Sequence, residues 1–362
     1  MLQKSKMISS EIDQFSISFK VKEKIIKSMK SLQDYIFIAE SAVKYIESCL
    51  GGFRSIFNRD ISSTNLPGYD TTYTYDSIVK IAYHSAKPEQ GLILYFTGRG
   101  WHHYKDVINI PIYKLLQRFS QIPMVDNYKI VRLDYAVDFY NDEKADVGKL
   151  FKSIKRGSTA YYNGNNVANA SQLVYYGSAE NVETVYFGSR SNEFCLRCYN
   201  KRKQQLEAER PEFLEFAKVC DSWVRYEAEI KKELAHNLTE KIEKCTNEDE
   251  VRELLASIVM ARLKFKSVKK GSLHYISQKI NEIANGKVFD IVVRKCIHNQ
   301  DIEKSKSWYF SDSSGLMGLL YKIEKMSGKK AVKEYLTEIF NYYDTEYQPT
   351  KSVLDWVKKN TK

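Results

Sequence analysis

Ile130-Val131-Arg132-Leu133-Asp134-Tyr135-Ala136-Val137-Asp138-Phe139-Tyr140 alternates between apolar and ionic side chains along most of its length. A β-strand sends successive side chains to opposite faces. One face therefore carries Val131, Leu133, Tyr135, Val137 and Phe139, and the other Arg132, Asp134 and Asp138. Two later stretches are built alike. Val224 to Ile230 sets Val224, Tyr226, Ala228 and Ile230 against Arg225, Glu227 and Glu229; Cys195 to Lys201 groups Arg197, Tyr199 and Lys201 opposite Leu196 and Cys198. Each alone fits an ordinary amphipathic strand with cross-strand salt bridges. If the three share a sheet, Asp134, Asp138, Glu227 and Glu229 gather around Arg132, Arg197, Arg225 and Tyr199. Clustered carboxylates repel, so they need a cation or a guanidinium to coexist. Oxygen ligands of this kind suit Mg²⁺ or Mn²⁺ better than zinc.

Outward from these strands the pattern is mixed. Asp13 to Val21 reads as a strand, Lys22 to Leu50 as one helix closed by Gly51 and Gly52, and Thr72 to Tyr83 and Leu92 to Thr97 as two strands, the second closed by Gly98-Arg99-Gly100. Pro111 opens a helix to about Ser120. Val147 to Ile154 is a short helix, and Leu173 to Tyr176 and Thr184 to Phe187 are strands. Beyond Leu234 the texture turns helical, in Glu248 to Leu263, Ser272 to Ala284, Leu316 to Met326 and Lys330 to Tyr342. The expected class is α+β: a curved antiparallel sheet with flanking helices over residues 1–235, then a mostly helical region over 236–362.

Composition sets the partner class. The 362 residues carry a net charge of +11, 43% hydrophobic and 28% charged residues, and 26 tyrosines. That describes a globular chain with a polyanionic partner, for which nucleic acid is the commonest choice. Tyrosines among lysines and arginines suit a surface where bases stack, although most will simply fill half-buried sheet faces. No apolar run reaches membrane-span length and the first ten residues lack a signal-peptide core, so a cytoplasmic protein is expected. Of the six cysteines, Cys195 and Cys198 alone are spaced as C-x-x-C, with no second pair to complete a zinc site; all are expected to be reduced thiols.

Gly188-Ser189-Arg190-Ser191 followed by Leu196-Arg197-Cys198-Tyr199-Asn200-Lys201 resembles the signature of the Rep_trans (replication initiation factor) family. Arg132-Leu133-Asp134-Tyr135-Ala136-Val137-Asp138 resembles its Arg-x-Asp…Asp strand, and Trp223-Val224-Arg225-Tyr226-Glu227-Ala228-Glu229 its Arg-x-Glu-x-Glu strand. The three blocks fall in the family's order. The resemblance implies an initiator of rolling-circle replication that nicks one strand at an origin, stays linked to the 5′-phosphate through tyrosine, and later rejoins the ends. It implies Tyr199 as nucleophile, acidic positions at Asp134, Asp138, Glu227 and Glu229, dependence on Mg²⁺ or Mn²⁺, a homodimer and a helicase partner. The family usually carries a Glu shortly after the tyrosine block. This chain has Gln204 and Gln205 there, with Glu207 as the substitute if the segment turns helical.

The phenol of tyrosine, with a pKa of about 10, is a weak nucleophile until its proton is taken. Carboxylates holding a cation, or arginines on the phosphate oxygens, would stabilise the developing charge. Arg197, Lys201, Arg132 and Arg225 are the expected cationic partners of Tyr199. Arg190 and the acid-free cluster Arg262, Lys264, Lys266, Lys269 and Lys270 are expected on double-stranded origin DNA with its single-stranded nick region, and Lys351, Lys358, Lys359 and Lys362 near Trp356 form a second basic cluster. Origin recognition or dimerisation falls to residues 236–362.

Other readings are a conjugative-element relaxase of the same chemistry, and an origin-binding protein without catalysis. The His-hydrophobe-His relaxases need two histidines one residue apart, whereas His102 and His103 are adjacent and on a strand would point oppositely. No RNP-like or KH-like signature marks an RNA-binding module.

Overall fold

The computed structural model describes residues 5–62, 64–178, 181–209, 211–287, 314–328 and 330–345. The chain divides into two compact units, Met1–Val292 and Val293–Lys362. The division falls later than the change of sequence texture after Leu234. In the second unit the described elements are the helices Ser314–Ser327 and Ala331–Thr345. The basic residues Lys351, Lys358, Lys359 and Lys362 lie outside the described residues.

Among the described residues the first unit is built on an antiparallel sheet of ten strands. In chain order the strands of this unit are β1 (Met7–Val21), β2 (Arg59–Ile61), β3 (Thr71–Tyr75), β4 (Val79–Tyr83), β5 (Leu92–Phe96), β6 (Val125–Tyr140), β7 (Thr159–Asn163), β8 (Asn166–Val167), β9 (Val174–Gly177), β10 (Val182–Phe187), β11 (Phe194–Asn200), β12 (Trp223–Lys231) and β13 (Leu263–Ser267). The large sheet runs β2-β3-β4-β5-β1-β6-β12-β11-β10-β9, and β13-β7-β8 form a second, small sheet. The α+β class, the large antiparallel sheet, its flanking helices and the helical C-terminal region are as the sequence led us to expect.

Helices cover the apolar side of the central strands. Helix Lys232–Glu243 presents Thr239, whose hydroxyl accepts from the Ile130 amide at 2.9 Å. Tyr135 donates its hydroxyl to the Arg252 carbonyl in helix Glu248–Arg262, and Tyr226 donates to the Ala145 carbonyl. Phe15, Ile17, Leu133, Tyr135, Phe139, Tyr226, Ala228 and Ile230 are all buried.

Three local readings change. The single helix expected over Lys22 to Leu50 is two, Glu23–Ser28 and Leu32–Cys49. Ser31 and Asp34 form a capping box, each side chain taking the other's amide, which satisfies the free donors of a new helix start. The strand read over Thr72 to Tyr83 is the hairpin β3–β4, reversed at Asp76 and Ser77 with φ of 47° and 61°. Both residue types tolerate that region when they sit in a turn. Gly98-Arg99-Gly100 does not merely close β5; it opens helix Gly98–Val107, with the Thr97 hydroxyl accepting from the Gly100 amide at 3.1 Å. Gly100 is needed there, because a Cβ would stand 2.4 Å from the Ile78 carbonyl oxygen.

Candidate active site

The three ionic stretches are neighbours in the sheet. Across β11, β12 and β6 the register places Tyr199 opposite Arg225 and Arg225 opposite Asp138, Arg197 opposite Glu227, and Glu229 opposite Asp134. Alternation then puts these side chains on one face. That face is not solvated: Asp134, Asp138, Arg225, Glu227 and Glu229 are each at most 2% exposed. Both faces of β12 are buried, and this distinguishes it from an amphipathic surface strand.

Buried charges persist when they are paired and hydrogen-bonded, and here every carboxylate has a cation. Arg225 clasps Asp138 with two bonds, Nε to Oδ1 at 2.8 Å and a terminal nitrogen to Oδ2 at 2.7 Å. Its other terminal nitrogen reaches Asp13, and the Trp223 indole donates to Asp138 at 2.8 Å. Arg132 clasps Asp134 the same way, at 2.9 and 2.7 Å. Glu229 takes Lys231 at 2.9 Å, with Arg190 Nε at 3.2 Å. Burial, and then the charges of Glu227 and Glu229, push the Asp134 carboxyl up to about 7 against the pull of Arg132.

Tyr199 donates its hydroxyl to Glu227 Oε2 at 3.0 Å. The same carboxylate accepts from an Arg197 terminal nitrogen at 2.8 and 2.9 Å, and the Arg197 guanidinium lies over the Tyr199 ring, 4.5 Å from its centroid. Burial, reinforced by Glu227, raises the phenol well above its ordinary value, so the resting group is a phenol donating to a carboxylate. Although only 7% exposed, Tyr199 lines a cavity of about 280 Å³ with Arg197, Lys203, Gln204, Glu207 and Tyr186. Arg197 Nε is buried with no hydrogen-bond partner among the described residues.

The strand carrying Tyr199 ends at Asn200, and its amide oxygen caps helix Lys201–Glu207 by accepting from Lys203. Lys201 is thus the first residue of a helix and not the last of a strand, but its ammonium still sits 5.9 Å from the Tyr199 and Trp223 ring centroids. Burial, with the nearby charge of Arg225, lowers its pKa. The helical turn brings Glu207 to the Tyr199 cavity.

Residues missed in the sequence complete the site. Besides Asp13, Glu11 on β1 and Glu212 flank His102, with Nδ1 2.8 Å from Glu212 and Nε2 3.2 Å from Glu11. Lys105 also bonds Glu11, at 2.5 Å. His102 lies on a helix, so the strand argument about His102 and His103 does not apply; His103 packs its ring on Phe57 at 5.3 Å. Neither Glu11 nor Asp13 stood out, because β1 carries a register shift between Ile12 and Gln14 that breaks simple alternation.

Arg190 is more than half exposed at the loop after β10. Lys264 and Lys266 alternate with buried Leu263 and Phe265 on β13, and Lys269 and Lys270 are exposed in the turn that follows. Lys264 donates to Asn165 at 3.3 Å and Lys266 lies over the Tyr162 ring at 5.0 Å. Arg262 ends helix Glu248–Arg262.

The replication initiation factor family, Rep_trans, matches residues 128–336, and so takes in most of β6 and all of β11 and β12, with all four acids and Tyr199. The chain belongs to the replication initiation factor family. Among solved structures the chain is similar to the rolling circle replication initiator protein from Geobacillus stearothermophilus, with a TM-score of 0.54 at 19% identity, over 76% of this chain and 97% of that one. That likeness concerns the fold. No curated protein matches the sequence. No helix among the described residues is long and apolar enough to cross a membrane. Cys49, Cys195, Cys198, Cys220 and Cys245 are free thiols, and Cys296 lies outside the described residues.

A divalent ion does not fit the acids of the Rep_trans face as they are arranged. Among the described residues no three of His, Cys, Asp and Glu are grouped to hold a metal ion. Asp134, Asp138, Glu227 and Glu229 share one face, yet each is tied to a guanidinium, an ammonium or the phenol; Glu229 Oε1 accepts no hydrogen bond among the described residues but has Arg190 Nε 3.2 Å away.

Proposed function

We propose that this initiator nicks one strand of double-stranded origin DNA by attack of Tyr199 on a phosphodiester, and that it later rejoins the ends. The observation that carries the reading is the Tyr199 hydroxyl on Glu227, beneath Arg197 and beside a cavity. In the forward step the phenol proton passes to the Glu227 carboxylate as the phenolic oxygen bonds phosphorus. The bond from phosphorus to the 3′ oxygen breaks, and that oxygen leaves and takes a proton from solvent. The product is a 5′-phosphotyrosine, which keeps the phosphodiester energy for rejoining.

Arg197 supports the step in two ways. Its bond to Glu227 holds the base in place, and its guanidinium, lying over the Tyr199 ring, puts positive charge beside the phosphate as charge builds. Arg225 and Arg197 oppose the effect of burial on the phenol through their charges, and the Lys201 ammonium stands 5.9 Å from its ring centroid. Arg132 and Asp134 brace the neighbouring strand. A homodimer and a helicase partner belong to the same proposal through the family, as does the assignment of the helical region after residue 236 to origin recognition or dimerisation.

The test is to incubate supercoiled plasmid bearing the cognate origin with the protein, with and without Mg²⁺ or Mn²⁺. Open-circular DNA with protein on a 5′ end is expected, and none from Tyr199→Phe. Nicking that persists in the phenylalanine variant removes Tyr199 from the mechanism.

A further inference from the structure

A second cavity, of about 500 Å³, adjoins the one that contains Tyr199; Tyr176 and Tyr186 line both. Its walls include Tyr161, Tyr176, Tyr186 and Phe187, and Arg190 stands at its rim. Tyr176 and Tyr186 meet edge to face with centroids 6.0 Å apart, Tyr161 and Phe187 do so at 5.3 Å, and the Arg190 guanidinium lies 5.8 Å from the Tyr186 centroid. Tyr176 is 61% exposed although it sits on β9, the last strand of the sheet. Asn163 and Asn192 add amide groups to the same lining.

We infer that this cavity receives an unstacked nucleobase of the single strand that adjoins the scissile phosphate, an inference that rests on the nucleophile assigned above. Three observations support it together. The space lies within the roughly 300–1,000 Å³ usual for ligand clefts. Aromatic faces beside an arginine are what a base stacks on while its phosphate is neutralised, and side-chain amides match the edges of bases. Because two rings form part of both cavities, neighbouring nucleotides of one strand can occupy the two spaces at once. The rim is held in place: Lys231 and Lys232 donate to the carbonyls of Arg190 and Ser191, at 2.5 and 2.6 Å. Tyr176 and Tyr186 would therefore position the strand for Tyr199, with Asn163 and Asn192 reading the base.

The probe is a short oligo-dT strand carrying one 2-aminopurine, titrated with the full-length protein and read by anisotropy and by base fluorescence. Stacking should quench the aminopurine. Tyr176→Ala should weaken binding roughly 5- to 150-fold and abolish the quench, as expected for loss of one stacked base, and Tyr176→Phe should restore both. Blunt duplex of the same length should bind the alanine variant and the parent equally. Equal binding of the single strand by parent and Tyr176→Ala, or a Tyr176-dependent preference for oligo-rU, overturns the inference. The readout is binding and not cleavage, so a wrong nucleophile would leave this result standing, and a failure here would leave Tyr199 standing.

Discussion

Tyr199 faces Arg225 across the β11–β12 ladder, but its hydroxyl reaches Glu227, one polar position along, at 3.0 Å. The side chain leans along the strand, and that lean places the phenol on a carboxylate already held by Arg197. The proposed nucleophile, proton acceptor and cation therefore come from two adjacent strands and need no loop to arrange them.

Glu227→Gln separates basicity from shape. The amide oxygen can still accept from Tyr199 but cannot take its proton. Single-turnover nicking should slow by about 10²- to 10⁴-fold, with binding to origin DNA little changed. An unaltered rate would assign proton removal to another group.

Arg225 is the most buried cation of the site, at 1% exposure, and its removal strands Asp138, also at 1%. Arg225→Ala should cost about 3–5 kcal/mol in urea unfolding. Replacing Arg225 and Asp138 together by leucine should cost less, because the buried Asp138 charge goes with its partner and only the less buried Asp13 loses a guanidinium. A mild effect of the single variant would show that water or a nearby group compensates.

Stability should depend on pH through His102. Burial alone would lower its pKa, but the bonds and charges of Glu11 and Glu212 outweigh burial and raise it to about 9 from 6.5. The folded state holds this proton more tightly. The contribution is therefore complete below pH 6.5 and is lost as pH rises through about 9. Glu11, lowered to about 2 from 4.5, contributes above pH 4.5 and loses that contribution as pH falls through about 2. Asp134, raised to about 7 from 3.8, makes stability fall with rising pH between those values, a lower window than that of His102. Melting curves of His102→Gln should lose the slope between pH 6.5 and 9 and keep the one that Asp134 sets between 3.8 and about 7.

Gly100→Ala should destabilise although it sits in a helix. The gain in helix propensity is about 1 kcal/mol, whereas a methyl 2.4 Å from the Ile78 carbonyl and 2.9 Å from Val79 forces the helix off the hairpin at about 1–3 kcal/mol. The same change at Gly157 meets no atom within 4 Å but carries a φ of 73°, so any loss there would come from backbone strain alone. A higher melting midpoint for Gly100→Ala would contradict the close approach.

We propose Lys264, Lys266, Lys269 and Lys270 as the contact to duplex phosphate. Changing all four to glutamine should weaken binding across unrelated sequences and flatten the slope of log K against log salt by about one unit per lost contact. A slope equal to the parent's would place the phosphate contacts elsewhere.

Much of this protein was legible in one dimension. Period-two alternation depends only on strand geometry. The polar faces of Arg132 to Asp138, Arg225 to Glu229 and Arg197 to Tyr199 could therefore be read before any strand was paired, and with them the sheet and the acids beside the tyrosine. The breaks at Ser31 and at Asp76-Ser77 escaped because a capping box and a tight reversal involve few residues inside longer apolar patterns.

Tertiary structure alone decided the rest. The register of β6, β12 and β11 determined which arginine clasps which acid, and burial turned an apparent cluster of metal ligands into a set of ion pairs. It also brought Glu11, Asp13, His102 and Glu212 to the same region from segments up to 201 residues apart. Side-chain alternation is a local property and survives without a fold, but pairing and desolvation are relations between distant segments, and these exist only once the sheet has closed around them.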